Sequence, residues 1–480
     1  MKMSFNRTNR DLARMDGKKF GLDQIMTTLY FLIMTTVVIL PVVMIIYNTF
    51  WDGTKLDLEM FARVILREEN LTAMKNTVII AIFATLFATI VGVFFAWLLG
   101  RSDIPMKGLM RWLFSIPFMI PPFLAAMAWD MMFSGRGGYI NRLLMNIFNL
   151  RDAPFNINTV AGIIVIEVIY YFPFVYMQVV SALERMDPTL EESARIAGAK
   201  QWYVIRKITL PLTIPAISSG TLLVFSIIFL VLVVLTPLVI ILLVSFLRAY
   251  GLPFEFKNFS FVNYQKILVG NKAVTDSIKN SLFLGFGSGF ICLFLGVMLS
   301  YVIYKVKPRG SGALETLAVL PYSLPGTVMA IGCILAWSGA VFGITLYNTI
   351  WIIMVAYIAR YLSYTLKSCS ASLQQVHLSL EEASRSCGAT HMQSLMDITL
   401  PLIKPAMVSS FFLVFLPAMR ELTTSVLLYG PNSRTLGVQI QQFRVNGYMT
   451  QAAALSVVAI AIIMICNGVV KSITKDRKGV

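Results

Sequence analysis

The sequence has few charged residues and few residues suited to chemistry. Only 13% of its 480 residues are Asp, Glu, Lys or Arg, against about 25% in ordinary soluble proteins. Its two histidines, His377 and His391, are interpreted as surface residues, and its five cysteines lack the CxxC spacing of metal or redox sites. We therefore expect no metal site, no disulfide framework, no cofactor and no catalytic residue.

The chain also lacks the GxxxxGK[ST] phosphate loop, so any ATP hydrolysis would belong to another chain. Basic residues are in surplus, with 40 Lys and Arg against 24 Asp and Glu, for a formal net charge of +16. This sign can indicate nucleic-acid binding. In a membrane protein, however, basic residues collect on cytoplasmic loops beside anionic lipid. We therefore expect membrane lipid, and not nucleic acid, beside this charge.

Long apolar segments are what the sequence has in abundance. Hydrophobic residues make up 57% of it, and its mean hydropathy is +0.74. A helix that crosses a bilayer core needs about 20 apolar residues. The sequence therefore predicts an all-α, polytopic transmembrane helical bundle of about 10 spans. The apolar runs are 25–50, 78–100, 109–133, 160–183, 214–247, 282–304, 314–337, 349–366, 405–429 and 452–470.

Basic residues in short loops predict the orientation of these spans. Segment 1–24 is basic and polar, and the apolar run after it is full-length, so the segment is not interpreted as part of a signal peptide. Positive charge accumulates on cytoplasmic loops, which predicts a multi-pass membrane protein with both termini in the cytoplasm. The loop residues that decide this are Arg101, Lys107, Arg111, Arg185, Arg195, Lys200, Arg206, Lys207, Lys305, Lys307 and Arg309.

A polar stretch with fixed spacing occurs twice between apolar runs. The first copy reads Glu192-Ser193-Ala194, three residues, Gly198, nine residues, then Ile208-Thr209-Leu210-Pro211. The second copy has the same spacings and reads Glu382-Ala383-Ser384, Gly388, then Ile398-Thr399-Leu400-Pro401. Each predicts a helix–turn–helix at the membrane surface, with the glycine supplying the turn.

The repeat extends beyond these loops. Pro117 and Pro121 match Pro321 and Pro325 at an offset of 204 residues, which falls to 190 at the loops. The same order with the same polarity indicates two parallel pseudo-repeats. The first would occupy 25–230, with its loop at 184–211, and the second 231–480, with its loop at 374–401.

The run 214–247 is shared between the two repeats. Its beginning matches the fifth span of the second repeat, while Pro237 and Phe246 match Pro41 and Phe50 of the first span. Two short spans here would place the second loop outside the cell, so we expect one crossing. A helix of about 34 residues would measure about 51 Å and would kink at Pro237. The first repeat would then lack the end of span five and all of span six.

The spacing of the two loops resembles the EAA coupling motif of binding-protein-dependent ABC importer permeases. The fused, two-copy layout resembles the ferric-iron type. The resemblance implies a MetI-like permease fold in a bacterial inner membrane, a cytoplasmic ATPase dimer, an external solute-binding protein and ferric iron as cargo. It also implies that these residues couple to the ATPase: Glu192, Ala194, Gly198, Ile208, Leu210, Pro211, Glu382, Ala383, Gly388, Ile398, Leu400 and Pro401.

Ionisable residues inside apolar spans are costly and indicate function by default. The candidates for the transport pathway are Glu167, Arg360, Arg420 and Glu421. The adjacent pair Arg420-Glu421 is the first choice, because segment 419–431 again resembles the ferric-iron permeases. A structural ion pair is the alternative for each of the four.

Other functions remain open from the sequence. The chain could be a permease for another small solute, such as a phosphonate or polyamine, or a truncated remnant that does not transport. It could also be an ATP-independent secondary transporter. No carboxylate pair recurs in both repeats, which disfavours the last class, whereas the overlong run 214–247 favours a remnant.

Overall fold

The computed structural model describes residues 28, 30–51, 55, 58–101, 106–185, 235–307, 311–339 and 343–475. Within these ranges the structure is helical, with two isolated β-bridges and no strand. The helices of seven or more residues are α1 Tyr30–Phe50, α2 Leu58–Ile65, α3 Glu68–Arg101, α4 Lys107–Met119, α5 Pro122–Phe133, α6 Tyr139–Phe148, α7 Val160–Arg185, α8 Thr236–Phe246, α9 Val262–Leu268, α10 Lys272–Val306, α11 Ser311–Ser323, α12 Gly326–Trp337, α13 Ile350–Gln375, α14 Leu378–Ser386, α15 Leu395–Met419, α16 Leu436–Val445 and α17 Met449–Lys475.

Six of these helices are long and apolar enough to cross a membrane, or eight if each of two bent pairs is one span. Helices α4 and α5 meet at 93°, and α11 and α12 at 112°. Each bend falls at a matched proline, because Pro121 and Pro325 are the extended residues that precede α5 and α12. The predicted polytopic helical bundle is confirmed, and the described residues contain six to eight of the about 10 spans expected.

Prolines explain two of three local distortions. Helices α1, α10 and α15 each contain a five-residue π-helical turn, at Thr35–Ile39, Val302–Val306 and Leu395–Thr399. In α1 and α15 the turn ends two residues before a proline inside the helix, at Pro41 and Pro401. Proline has no N–H to donate, and its ring clashes with the carbonyl four residues earlier, so the helix widens there to i→i+5 hydrogen bonding. In α10 the π turn is the last turn of the helix, before Lys307 at a φ of +50°.

The fifth span of the second repeat starts earlier than its hydropathy suggests. The apolar run predicts a span at 405–429, whereas α15 runs from Leu395 to Met419. It accommodates Pro401 in its first turn after the π turn, and Pro405 and Pro417 in its interior. The helix ends at Met419, and the following segment forms a loop that contains Glu421.

The described residues form two compact units. Unit 1 comprises 1–57, 272–439 and 465–480, and unit 2 comprises 58–271 and 440–464. In unit 1, α1 packs against α12, and a Cβ on Gly332 would lie 2.7 Å from the Pro41 carbonyl oxygen. In unit 2, α8 packs against α5. Each unit therefore holds the first span of one sequence repeat with later spans of the other.

The core of unit 1 forms where α10, α13 and α15 pack together. Glycines allow this close approach, since a Cβ on Gly289 would lie 2.7 Å from the Phe411 ring and one on Gly285 3.1 Å from Phe415. Small residues at helix interfaces are the usual means of tight packing in membranes. The middle of α13 is consequently buried, and this fixes the position of Arg360 and Tyr361.

In unit 2, α3 packs along α7. Gly92 lies against α7, where a Cβ would be 2.7 Å from the Val175 Cβ. Buried rings of Phe95, Phe114 and Phe172 meet beside this contact. Glu167 is a half-buried residue of the mostly apolar α7.

Candidate coupling loop and membrane-depth ion pair

The second copy of the repeated loop is a helix, a tight turn and a second helix. Helix α14 begins after His377, whose Nδ1 accepts a hydrogen bond from the Ser379 N–H. It ends at Ser386, and Cys387 and Gly388 form the turn that follows. Gly388 has a φ of +94°, a conformation that costs glycine little. The Gly388 and Ala389 N–H groups donate to the Arg385 and Ser384 carbonyls at 3.0 and 3.2 Å. This hydrogen-bond pair is the Schellman motif of helix ends.

The surface of this loop carries the motif residues. Glu382, Ala383, Gly388 and Pro401 are exposed, and Ile398 and Leu400 are half-buried. The loop therefore has a carboxylate and a glycine turn on its exposed surface. The first-copy residues of the motif, Glu192, Ala194, Gly198, Ile208, Leu210 and Pro211, lie outside the described residues.

A buried ion pair holds the loop against the spans. Nζ of Lys305, at the end of α10, lies 3.3 Å from Oε1 of Glu381, and the two side chains are 6% and 10% exposed. The Thr399 hydroxyl donates to the same carboxylate oxygen at 2.8 Å. Lys305 also donates to the Val376 carbonyl at 2.9 Å. Four segments of the chain therefore meet at one ammonium group and one carboxylate.

Glu381 and Lys305 are residues that sequence reasoning missed. The motif spacing points to Glu382, and nothing in the local sequence shows that its neighbour faces inward. The repeat itself indicated these positions, because the first copy has the same residue types there. Arg101 corresponds to Lys305, Glu191 to Glu381 and Thr209 to Thr399. A comparison of charges between the two copies would have found them.

A second buried ion pair, named the membrane-depth pair because its residues lie in apolar runs of the sequence, is in unit 1. Nη1 of Arg360, in α13, donates to Oε1 of Glu421 at 3.1 Å, with the side chains 13% and 11% exposed. Arg360 also donates to the Thr424 hydroxyl at 2.6 Å. The pair joins α13 to the loop after α15.

Hydrogen-bond donors surround the Glu421 carboxylate. Its Oε1 accepts from the Thr423 hydroxyl at 2.6 Å, and from the Thr424 N–H and hydroxyl at 2.9 and 2.8 Å. The Tyr361 hydroxyl donates to Oε2. An ionised carboxylate in a buried site is stable only when it is paired in this way. The geometry satisfies both oxygens without any ligand.

Gly326 brings the bend between α11 and α12 against this cluster. A Cβ at this position would collide with Thr423 Oγ1 and Arg360 Nη1 and would lie 2.8 Å from Thr424 Oγ1. The cluster therefore fastens three elements: α13, the start of α12 and the loop after α15.

The structure shows where the four membrane-depth candidates lie. Arg420 and Glu421 are adjacent in sequence, but the ion pair of Glu421 is with Arg360. Arg420 is the half-buried residue that ends α15. Glu167 is in α7 of the other unit. Among the described residues, no group of three or more His, Cys, Asp or Glu is arranged to hold a metal ion.

Comparison with known proteins identifies the repeat. Residues 88–240 and 292–476 each match the family described as "Binding-protein-dependent transport system inner membrane component". The chain belongs to this family. The permease therefore carries both copies of the family's domain in one chain, as an ABC importer permease and not an enzyme. It is a multi-pass membrane protein.

Relatives of the permease differ in cargo and in coverage. The ferric transport system permease protein FbpB of Actinobacillus pleuropneumoniae is 23% identical over 542 aligned positions, which cover 94% of this chain and 78% of the relative. A putative 2-aminoethylphosphonate permease, PhnV of Salmonella paratyphi A, is 29% identical over 48% of this chain and 84% of its own. The molybdenum permease ModB of Escherichia coli is 33% identical over 34% and 69%.

The alignment with the ferric permease also bears on the prediction that the first repeat is shortened. It is 542 positions long, which exceeds the 480 residues of this chain. The ferric permease therefore has segments without a counterpart here. The first family match of the permease, 88–240, is also shorter than the second, 292–476.

Proposed function

We propose that the permease imports ferric iron, which an external solute-binding protein delivers, and that a cytoplasmic ATPase dimer drives the transport. The cargo assignment rests on the share of the chain that aligns with each relative. The ferric permease aligns with 94% of the chain, whereas the phosphonate and molybdenum permeases align with 48% and 34%. Of these three relatives, the ferric permease is the one that aligns with both domains of the chain.

Coupling would work through the exposed surface of α14 and its matched first-copy loop. When the ATPase dimer closes on ATP, it moves both loops and tilts the spans attached to them. Glu382 and Gly388 would seat the second loop in the ATPase, and Glu192 and Gly198 the first. The exposed position of Glu382 and the Schellman turn at Gly388 support this role.

The membrane-depth residues would shape the pathway through their positions. Because Glu421 already accepts hydrogen bonds at both oxygens, we propose that it and Arg360 hold the pathway wall in place. Arg420 and Glu167 remain candidates for direct contact with the cargo.

The native Cys387 offers a direct test of ATPase coupling. This cysteine is exposed next to Gly388, whereas Cys292, Cys333 and Cys369 are buried. Association of the ATPase should protect Cys387 from labelling by a maleimide. The half-buried Cys466 is replaced by Ser so that its labelling does not add to that of Cys387. Gly388→Val should reduce both protection and co-purification, because a β-branched residue is strained at positive φ. Equal labelling with and without the ATPase would contradict the coupling assignment.

The same cysteine tests the topology. If the loops and both termini are cytoplasmic, an impermeant maleimide should label Cys387 in inverted vesicles and not in intact cells. Labelling from outside would mean that run 214–247 crosses twice and would favour a non-transporting remnant.

Cargo is tested by uptake in proteoliposomes with the ATPase and the solute-binding protein, whose genes we expect to lie beside that of the permease. Radiolabelled ferric iron should accumulate only with ATP, and excess unlabelled phosphonate or molybdate should not compete. Uptake of a competitor in place of iron would reassign the cargo. Uptake without the ATPase would favour a secondary transporter.

A further inference from the structure

Two adjacent carboxylates on the coupling helix face opposite environments. Glu382 is exposed, while the side chain of Glu381 is 10% exposed and paired with Lys305. A partner that docks on α14 can therefore reach Glu382 directly. Such a partner can act on the spans only through the contacts between α14 and the spans. Glu381 forms the charged contact among them.

The contacts of Glu381 join the coupling helix to two different spans. Lys305 belongs to α10, which lies before the bent pair, and Thr399 belongs to α15, which follows the loop. The backbone carbonyl of Glu381 also accepts a hydrogen bond from the Ser394 hydroxyl at 3.5 Å. Movement of α14 is thereby passed to both spans at one carboxyl group.

Both partners of Glu381 lie on π-helical turns. Lys305 is within Val302–Val306, and Thr399 ends Leu395–Thr399. A π turn carries one extra residue per hydrogen-bonded ring, so it sets the direction of the side chains at the helix end. The two spans are therefore shaped to present an ammonium and a hydroxyl to the same oxygen.

The same residue types recur in the first copy of the repeat. At the offsets of 204 and 190 residues that relate the copies, Lys305, Glu381 and Thr399 correspond to Arg101, Glu191 and Thr209. The pattern is a base, an acid and a hydroxyl in both copies. Glu191 and Thr209 lie outside the described residues, so this support comes from the sequence.

We propose that Lys305, Glu381 and Thr399 form a transmission joint, which carries the movement of the coupling helix into α10 and α15 while Glu382 serves attachment to the ATPase. This inference rests on the proposed ATPase coupling and names positioning residues within it. Loss of the joint should uncouple the permease from an ATPase that is still bound.

The test uses the full permease with its ATPase in proteoliposomes. Three quantities are measured: co-purification of the ATPase, basal ATP hydrolysis, and stimulation of hydrolysis by the solute-binding protein added outside. Stimulation needs a signal that crosses the permease, so it reports transmission whatever the cargo is. The variants are Glu381→Gln, Glu382→Gln and Lys305→Arg. Asp397→Asn is the control, because it also changes an acid to an amide but at an exposed residue on the π turn that contains Thr399.

Glu381→Gln should keep the ATPase bound and hydrolysing but reduce stimulation about tenfold, within the usual range of coupling between sites. Glu382→Gln should instead weaken co-purification. Lys305→Arg should retain stimulation, because guanidinium also pairs with carboxylate and Arg occupies the matching position 101. Asp397→Asn should behave as the unmodified protein.

Two results would overturn the proposal. Undiminished stimulation in Glu381→Gln would show that the joint transmits nothing. The second result is that Glu381→Gln loses both ATPase binding and stimulation, and that Lys305→Arg does not retain stimulation. The contact between Lys305 and Glu381 would then be merely structural. If the unmodified permease itself neither binds the ATPase nor responds to the binding protein, the proposed function fails before the joint is tested.

Discussion

The two buried ion pairs of unit 1 resemble each other in composition but differ in how completely they are bonded. Each combines a basic residue, a glutamate and a threonine hydroxyl, and each side chain is 13% exposed or less. At Glu421, both carboxylate oxygens accept hydrogen bonds. At Glu381, the cation and the hydroxyl both contact Oε1.

This difference suggests different mechanical roles. A carboxylate bonded on both oxygens is held in one orientation, as suits a wall that must keep its shape. A carboxylate whose contacts with the described residues converge on one oxygen can pivot about that oxygen while it keeps them, as suits a joint. Removing a partner from either pair leaves a buried charge behind, which is the costly change for any buried ion pair.

The largest effect should come from Arg360→Met. It leaves the Glu421 carboxylate buried without its cation, and breaking a buried pair in this way costs about 3–5 kcal/mol. We expect a large fall in the melting temperature of the detergent-solubilised permease. The double variant Arg360→Met with Glu421→Gln should recover part of the loss, since no charge is then left unpaired. An unchanged melting temperature would show that water reaches the site.

Lys305→Met should have a somewhat smaller and more local effect. The unpaired Glu381 keeps its hydrogen bond from Thr399, so the cost should lie near the lower end of the about 3–5 kcal/mol for breaking a buried ion pair. Because α14 is a short surface helix, we expect it to open locally. Hydrogen exchange should speed up in 378–386 and much less in α13. Uniform acceleration along both helices would contradict the assignment of a local joint.

Gly326→Ala tests how tightly the membrane-depth cluster is packed. The new methyl group would displace Thr423 or Arg360, and overpacking of this kind costs about 1–3 kcal/mol. Gly312→Ala is the matched control in α11, since nothing lies within 4 Å of a Cβ there. We expect a lower melting temperature for the first variant only. Equal behaviour of the two would show that the cluster yields easily.

The smallest effect should come from Tyr361→Phe. It removes the donor to Glu421 Oε2 but leaves the four donors to Oε1 in place. The net contribution of one hydrogen bond is about 1 kcal/mol. Tyr347→Phe, at an exposed tyrosine, serves as control. A loss as large as that of Arg360→Met would mean that the hydroxyl, and not the ion pair, holds the loop.

Much of the fold could be predicted because it follows from local chemistry. The apolar runs identify spans, and the prolines at 121 and 325 mark where the bent pairs break. Gly388 marks the turn, because a positive φ suits glycine. The end of the fifth span could not be located in this way, since hydropathy continues past Met419 while the helix does not.

The candidate site was only partly within reach of the sequence. Motif spacing selected Glu382, and the rarity of charges in apolar runs selected Arg360 and Glu421. The ion-pair partner of Glu421 lies 61 residues away, so the sequence did not show that Arg360 and Glu421 contact each other. Glu381 was not predicted, because the sequence of a nine-residue amphipathic helix does not show which of two adjacent acids faces the spans.

By itself the sequence determined that this is a membrane-spanning helical protein with two parallel repeats and two surface loops of a coupling type. Those properties depend on hydropathy, on periodic spacing and on glycine and proline, which act within a few residues. Only the tertiary structure decided which charges meet. Burial makes an unpaired charge intolerable, and the helix packing that brings Lys305 to Glu381 and Arg360 to Glu421 joins residues far apart in the chain.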